Sequence, residues 1–382
     1  MTHVAINAHL LSAQAGYRSA GIHGYIYHTL NALAPEKPDW RFTALVGAGN
    51  PIPHPNLTIE RARFSTEHPL RRIVWEQGLQ RGTLRRLQPD LYHAMAFVAP
   101  LPLRLPSVVT VHDCAFIRYP ETLSRARRMY LEHLTRASCQ QARVVIAVSQ
   151  CTARDVETLL GIPPDKIVVV LSGVAEHFYP RSTAEVAAFR AVRGLPARFL
   201  LHVGTLEPRK NLSALLRAYA ALPASLREAV HLVLAGGKGW DYATIFETVA
   251  AEKLASTVHF PGFVAGEDLP LWYSAAEALV MPSLYEGWGL PVVEAMACGC
   301  PTLVSDVSSL PEAAGETGLL LPSTDISAWT EGLRRAITDE NWQAQSRTAG
   351  RLRARQFTWQ ATAQATLQAY QQALNPSPKS GS

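Results

Sequence analysis

The chain has 382 residues, 48% hydrophobic and 18% charged, with a formal charge of +5. That length supports two domains with a sizeable core in each, and that balance excludes an intrinsically disordered chain. The basic excess sits in the first half: residues 1–180 carry 19 Lys/Arg against 13 Asp/Glu, and residues 181–382 carry 17 against 18. Cys114, Cys139, Cys151, Cys298 and Cys300 form no C-x-x-C pair and no cluster with metal-ligand spacing. Reduced thiols, a cytoplasmic setting and no zinc site are therefore expected. No apolar run approaches ~18 residues, so no membrane span is expected and any membrane contact would be peripheral.

The N-terminus, "MTHVAINAHLL", reads as a first strand. The first half then alternates strand-like and helix-like segments, the pattern of a doubly wound parallel sheet. Strands are expected at 4–8, 42–46, 91–93, 108–112, 144–148 and 167–171, with helices at about 21–33, 69–87, 124–142 and 149–160. The loop after the first strand carries Gly16, Arg18 and Gly21. Gly21 opens the following helix, where its N–H can reach an anion, unless it and Gly16 only shape a surface loop. Arg18 either meets a phosphate or does nothing. His112 and Asp113, in "TVHDCAFIRYPE", stand at the end of a buried strand, the ligand edge of such a sheet. No G-x-S-x-G accompanies them, so a hydrolase triad is not indicated. Arg71, Arg72, Arg81, Arg85 and Arg86 share one helical stretch, and Arg125, Arg127 and Arg128 another. No aromatic platform or recognition motif points to nucleic acid; a solvated face and attraction to anionic lipid or a lipid diphosphate are the two readings.

Residues 172–196 loosen in composition and read as a linker plus one helix. A second strand–helix series follows, with strands at 199–203, 232–235, 258–260, 278–281, 302–305 and 319–321 and helices at 212–221, 241–254, 269–276 and 326–337. This predicts a first domain over 1–180, a second over 195–356, a final helix over about 357–374, and a disordered tail at 375–382. In "VGTLEPRKN", Arg209 and Lys210 stand where the next helix begins. A cation beside a helix start makes a diphosphate site. "AGGKGW" places Gly236 and Gly237 at a strand end, yet neither it nor "GAGNP" completes G-x-G-x-x-G, which disfavours a nicotinamide dinucleotide.

Chemistry concentrates in "MPSLYEGWGLPVVEAMACGCPTLVS" at 281–305. A buried strand leads into a glycine-bearing loop with Glu286, then a short helix with Pro291 early and Gly299 past its end. Gly287 and Gly289 let backbone approach a ligand, and the helix start offers unpaired N–H groups. Glu286 and Glu294 would repel an anion, so they suit the hydroxyls of a neutral diol. A ligand with a diphosphate centre and hydroxyl-rich ends fits: a nucleotide sugar.

"EGWGLPVVE" followed by "AMACGCPTLVS" closely resembles the signature of the retaining family-4 glycosyltransferases of GT-B architecture, E-x7-E followed by a small-residue helix. The resemblance extends to "VGTLEPRKN", "LVLAGGKGW", "VHFPGFV" and "GLLLPSTD", dense in the second half and thin in the first. It implies an α/β chain of two Rossmann-like doubly wound parallel-sheet domains facing across a cleft. The first domain would bind the acceptor and the second the nucleotide sugar, with the final helix crossing back to the first. By resemblance Gly21 lies against the donor diphosphate and acceptor. His112 lies beside the transferred sugar, and Asp113 either orients His112 or meets the acceptor nucleophile. Lys210 neutralises the leaving diphosphate. Relatives carry an arginine where this chain has Thr205, so Arg209 either compensates or points to solvent. Gly236 approaches the donor, and the loop of Phe263 and Val264 reads the nucleobase. Glu286 binds sugar hydroxyls with the N–H groups of Gly287, Trp288, Gly289 and Leu290, and Glu294 binds the ribose diol.

The reaction implied is front-face substitution with retention, without a metal or cofactor; Glu286 as covalent nucleophile is the alternative. "RSAGIHGY", "VHD", "YPE", "GTLEPRKN" and "GGKGW" resemble bacterial mannosyltransferases of surface-polysaccharide assembly. GDP-mannose is the first donor, a UDP-sugar or deoxysugar nucleotide the runner-up. The acceptor implied is a polyprenyl-diphosphate oligosaccharide. Two rivals from other classes are a nucleotide-sugar epimerase, which lacks the E-x7-E block, and a non-catalytic nucleotide-sugar sensor, against which the intact Glu286, Glu294 and Lys210 argue.

Overall fold

A computed structural model describes residues 1–11, 21–47, 49–62, 66 and 69–375. Gly16, Arg18 and the tail from 376 lie outside them. The chain divides into two compact units, one of Met1–Gly173 with the final helix, the other of Val174–Phe357.

The first unit holds seven strands: β1 (His3–Asn7), β2 (Arg41–Val46), β3 (Leu57–Arg61), β4 (Leu91–Ala94), β5 (Ser107–Val111), β6 (Val144–Ala147) and β7 (Ile167–Val169). They hydrogen-bond in the order β3-β2-β1-β4-β5-β6-β7, parallel throughout. The central strands are buried on both faces, as in "VVIA" of β6, which is why they read as continuous apolar runs. β3 was not expected: in "LTIER" only Leu57 is buried, so this edge strand lacks both the apolar run and the alternation that mark a strand. The helical stretch expected at 69–87 is interrupted. Helices Pro69–Val74 and Gln80–Leu87 flank a π-helical turn at Trp75–Leu79 that carries the buried Trp75 and Glu76.

The final helix, Trp359–Leu374, packs on the first unit. Thr358 caps it, and Tyr370 Oη lies 2.7 Å from His93 Nδ1 on β4. Thr362 Oγ1 donates to the Leu171 carbonyl at 2.8 Å, and Arg143 to that of Ala373 at 2.8 Å. Trp359 stacks on His28 of the helix Ile22–Glu36, with centroids 4.9 Å apart.

The second unit holds β8 (Phe199–Val203), β9 (His231–Ala235), β10 (Val258–Gly262), β11 (Ala278–Met281), β12 (Thr302–Ser305) and β13 (Leu319–Leu321). Their order is β10-β9-β8-β11-β12-β13, again parallel. Its core joins β8, β9 and β11 to Leu215, Tyr219, Trp329 and Leu333 from flanking helices. The helix in the loosened segment is Thr183–Arg193, bounded by a Ser182/Glu185 capping box and by Gly194 at φ 60°. Helices Ala224–Ala229 and Glu340–Ala354 were not expected; the second is capped by Asp339.

No cysteine is in a disulfide. Among the described residues no helix is long and apolar enough to cross a membrane.

A Cβ on Gly173 would come 2.2 Å from the Trp359 backbone nitrogen. Gly173→Ala is therefore expected to destabilise the first unit by about 1–3 kcal/mol. Amide exchange should show the loss as faster opening of Trp359–Leu374, with the helix Ile326–Thr338 of the second unit unchanged.

Candidate functional site

Each sheet reverses its strand order between its first and fourth strands in sequence, β1/β4 in one unit and β8/β11 in the other. Loops leaving such a pair diverge and open a crevice at the carboxyl ends of the strands. In the second unit the β8 loop delivers Arg209 and Lys210, and the β11 loop delivers Glu286.

The two loops are stitched together: Leu284 N–H donates to the Arg209 carbonyl at 2.9 Å, and the Arg209 side chain donates to the Tyr285 carbonyl. Lys210 Nζ then lies 2.5 Å from Glu286 Oε1, and Arg209 Nη1 lies 3.4 Å from Glu286 Oε2. Arg209 thus points at Glu286 and not to solvent, and it is also held by Glu207 at 2.7 Å. Lys210 and Glu286 are both buried. Burial raises the Glu286 carboxyl, but the Lys210 ammonium and the Arg209 guanidinium outweigh it and hold the group at about 2. The Glu286 backbone is fixed as well. Its N–H donates to Ser308 Oγ at 2.7 Å, and its carbonyl accepts from Ser308 and Ser309 Oγ at 2.6 and 2.9 Å. Ser308 sits at φ 64° and Asn211, which opens the helix after Lys210, at φ 56°, conformations non-glycine residues adopt at a cost.

Gly289, at φ 92°, starts the helix Leu290–Ala297, and no side chain caps its first N–H groups. The Trp288 indole is buried edge-on against Phe357, centroids 5.3 Å apart, so backbone is what this residue offers the loop. Glu294 is in a different setting. Tyr273 Oη donates to its Oε2 at 2.9 Å, and burial pushes its carboxyl up to about 7 against that hydrogen bond. Further along the carboxyl edge, Gly236 lets two backbones cross, since a Cβ there would come 1.8 Å from the Gly204 carbonyl oxygen. Beyond β10, Phe263 is 41% exposed and Val264 half-buried. Along the edge the order is Phe263 and Val264, Gly236, Arg209 with Lys210, then Glu286.

In the first unit Gly21 opens its helix at φ 71° with no side-chain cap. His112 follows β5; its buried ring has Nε2 2.8 Å from the Met95 carbonyl and rests against Tyr25 and Phe97. Burial lowers its pKa, so the ring is neutral and Nε2 carries the proton. Asp113 Oδ1 accepts from Ala115 N–H at 2.9 Å, closing the start of the short helix Ala115–Arg118. Sequence reasoning passed over a buried polar chain at this same edge. His9 Nε2 lies 3.0 Å from Glu76 Oε1 and His9 Nδ1 2.8 Å from Asn7 Oδ1, while Tyr92 Oη donates to Gln80 at 2.9 Å. The position of His9 just past β1 was the available signal; Glu76, far off in sequence on the π turn, gave none. His202 of β8 was passed over too.

Residues 187–353 match the family described as glycosyl transferases group 1, and residues 20–178 match glycosyltransferase family 4. The O-antigen chain mannosyltransferase B of Escherichia coli is 33% identical over 304 residues, 79% of this chain and 77% of that one. The chain belongs to the family-4, group 1 glycosyltransferases. The serotype-specific mannosyltransferase WbdA of Escherichia coli is 31% identical over 255 residues, 66% of this chain but 31% of that longer protein. Among solved structures, a sucrose-phosphate synthase from Thermosynechococcus elongatus superposes with a TM-score of 0.80 over 97% of this chain and 99% of its own, at 24% identity. The fold of this glycosyltransferase is GT-B.

The two glutamates should separate in a carboxyl-labelled 13C NMR titration. Glu294 is expected to titrate near 7, and Glu286 to stay ionised down to about 2. Tyr273→Phe removes a hydrogen bond that lowers Glu294, so its midpoint should rise. A Glu294 midpoint near 4.5 would contradict the burial argument.

Proposed function

We propose that this glycosyltransferase retains configuration, transferring an α-linked mannose from GDP-mannose to a hydroxyl of a polyprenyl-diphosphate oligosaccharide in surface-polysaccharide assembly. The observation that carries the reading is the buried contact of Lys210 and Arg209 with Glu286 where β8 and β11 part. Cations supply the charge a leaving nucleoside diphosphate needs, and a carboxylate held at about 2 is a permanent acceptor for sugar hydroxyls. Arg209, aimed inward, supplies the charge that Thr205 lacks, so the diphosphate needs no metal ion. The start of Leu290–Ala297 adds N–H groups toward the sugar, and Glu294 takes the ribose diol. His112, neutral and wedged between two rings, lies against the transferred sugar, and Gly21 against donor and acceptor.

The mannosyltransferase names of the two Escherichia coli relatives support the sugar. The first unit supports an anionic, membrane-bound acceptor. Burial and the neighbouring Arg72 charge both lower the Arg127 pKa, and among the described residues neither arginine is in an ion pair. Met129, Val74 and Leu79 are exposed on the helical stretches that carry these arginines. Such a face suits peripheral contact with an anionic cytoplasmic leaflet.

In a thermal-shift panel of GDP-, UDP-, dTDP- and ADP-sugars, GDP-mannose is expected to raise the melting temperature most. Release of GDP should require the lipid-linked acceptor, and the product should be the α anomer by NMR. A larger shift with a UDP-sugar would replace the donor; GDP release without acceptor would remove the transfer.

Glu286→Ala is expected to lower turnover about 100-fold or more. Lys210→Ala should weaken GDP binding by about 30-fold, the effect of truncating one member of a buried charge pair. Near-wild-type turnover in the first, or unchanged GDP affinity in the second, would count against these roles.

The affinity for GDP should also depend on pH. A ribose diol donates to a carboxylate, so binding favours ionised Glu294, whose pKa in the free enzyme is about 7. Calorimetry should show affinity falling about tenfold from pH 8 to pH 6 on that account, and Glu294→Gln should remove this part of the slope.

A further inference from the structure

His202 is the penultimate residue of β8, and its ring is fully buried. Nδ1 lies 3.0 Å from the Val280 carbonyl on β11. That carbonyl can only accept, so the proton is on Nδ1 and Nε2 carries a bare lone pair. Burial holds the ring neutral, with its pKa pushed down to about 4. Among the described residues Nε2 has no hydrogen-bond partner. A buried acceptor left unmatched is costly, and such atoms in native proteins call for a reason.

The reason lies next to it. A Cβ built on Gly204 would fall 3.1 Å from His202 Nε2 and 3.5 Å from Lys210 Cε, so imidazole and lysine stem flank the same glycine. The ring also feels the charges of both Lys210 and Glu286. The Lys210 ammonium is engaged by Glu286 at 2.5 Å. A nucleotide sugar in this site needs both partners elsewhere, Glu286 on hydroxyls and Lys210 on the diphosphate. An ammonium has three protons to place, and a diphosphate oxygen on one side of it does not take them all. The unused acceptor on the protein side is His202 Nε2.

We propose that His202 is a positioning residue: when a nucleoside diphosphate draws Lys210 away from Glu286, Nε2 accepts a hydrogen bond from the Lys210 ammonium and holds it against the diphosphate. The proposal rests on the nucleotide-sugar reading of the site. It makes Lys210 a switch between two acceptors on the protein, the Glu286 carboxylate and, with a diphosphate bound, the His202 imidazole. The imidazole is the better partner once the diphosphate is bound, because it is neutral and leaves the lysine charge to the ligand.

A double-mutant cycle with GDP tests it, with UDP as the second probe, read by calorimetry on the whole chain. His202→Phe keeps an aromatic ring and removes the acceptor; it is expected to weaken GDP binding about tenfold. In a Lys210→Ala background the same substitution should change nothing, because the residue through which His202 acts is gone. His202→Gln, which restores an acceptor oxygen, should recover part of the loss. Losses that add in the double variant, or an unchanged affinity in His202→Phe alone, would overturn the proposal and leave the ring a packing element. If His202→Phe does not fold, 15N NMR of the wild-type ring decides. Nε2 should move from the position of a free lone pair toward that of a hydrogen-bonded one on adding GDP, and an unmoved resonance refutes the role. A wild-type enzyme that binds none of GDP, UDP, dTDP and ADP overturns the nucleotide-sugar reading and this proposal together, whereas binding with an additive cycle overturns this proposal alone.

Discussion

The second unit turns on one buried ion pair, Lys210 with Glu286, seconded by Arg209. Taking a carboxylate and an ammonium out of water costs several kcal/mol per ion, and the attraction between them repays that only when the geometry is good. Well-packed apolar side chains would often stabilise a fold as well. The pair is therefore poorly explained by stability and well explained by use. Its members come from loops joined by only a few backbone and side-chain contacts, above the two strands whose exits diverge. The surrounding scaffold accepts further costs to hold them, in the left-handed backbone of Asn211 and Ser308 and in the lone pair of His202, which lacks a donor among the described residues.

Topology explains why these residues meet there and nowhere else in the unit. With the order β10-β9-β8-β11-β12-β13, the connections from β8 lead toward β9 and those from β11 toward β12. Only between β8 and β11 do the outgoing loops separate instead of crowding. The first unit repeats the arrangement with β1 and β4, and there too buried polar side chains collect at the carboxyl edge, among them Asn7, His9 and Glu76. No sequence repeat links the halves. What they share is a strand order that reverses between the first and fourth strands.

The sequence carried the strands well wherever they are buried on both faces, because a short apolar run between turn residues is hard to read otherwise. It missed β3, exposed along most of its length, and the helix Glu340–Ala354, whose buried positions are the small residues Ser346, Gly350 and Ala354. Arg209, Lys210 and Glu286 were legible because their loop positions and residue types are local information. Their mutual contact was not, since it joins positions 76 and 77 residues apart. For Arg209 the choice between filling the place of Thr205 and facing solvent could be decided only by the direction of the side chain. Trp288 entered the sequence reading only through its backbone N–H, and the packing of its ring on Phe357 was not legible, since the two lie far apart in the chain. His202 and the His9–Glu76 pair lay inside apolar or irregular stretches, where a polar residue gives no hint of its partner.

Glu286 and Glu294 are one residue type in one short stretch, yet they end up in two states. Both are desolvated, and desolvation alone raises a carboxyl. Glu286 has two cations within reach and is driven to about 2; Glu294 has one neutral phenol and rests at about 7. By linkage their effects on folding run oppositely. The depressed Glu286 contributes stability above about 4.5 that is lost as pH falls toward 2. Glu294 contributes stability below about 4.5 that is lost as pH rises through 7. At neutral pH the unit therefore keeps the Glu286 contribution and has given up most of that of Glu294. A carboxylate poised between its forms is a poor structural element. Two hydroxyl donors from a ligand would replace the lost water and make the charged form the favoured one.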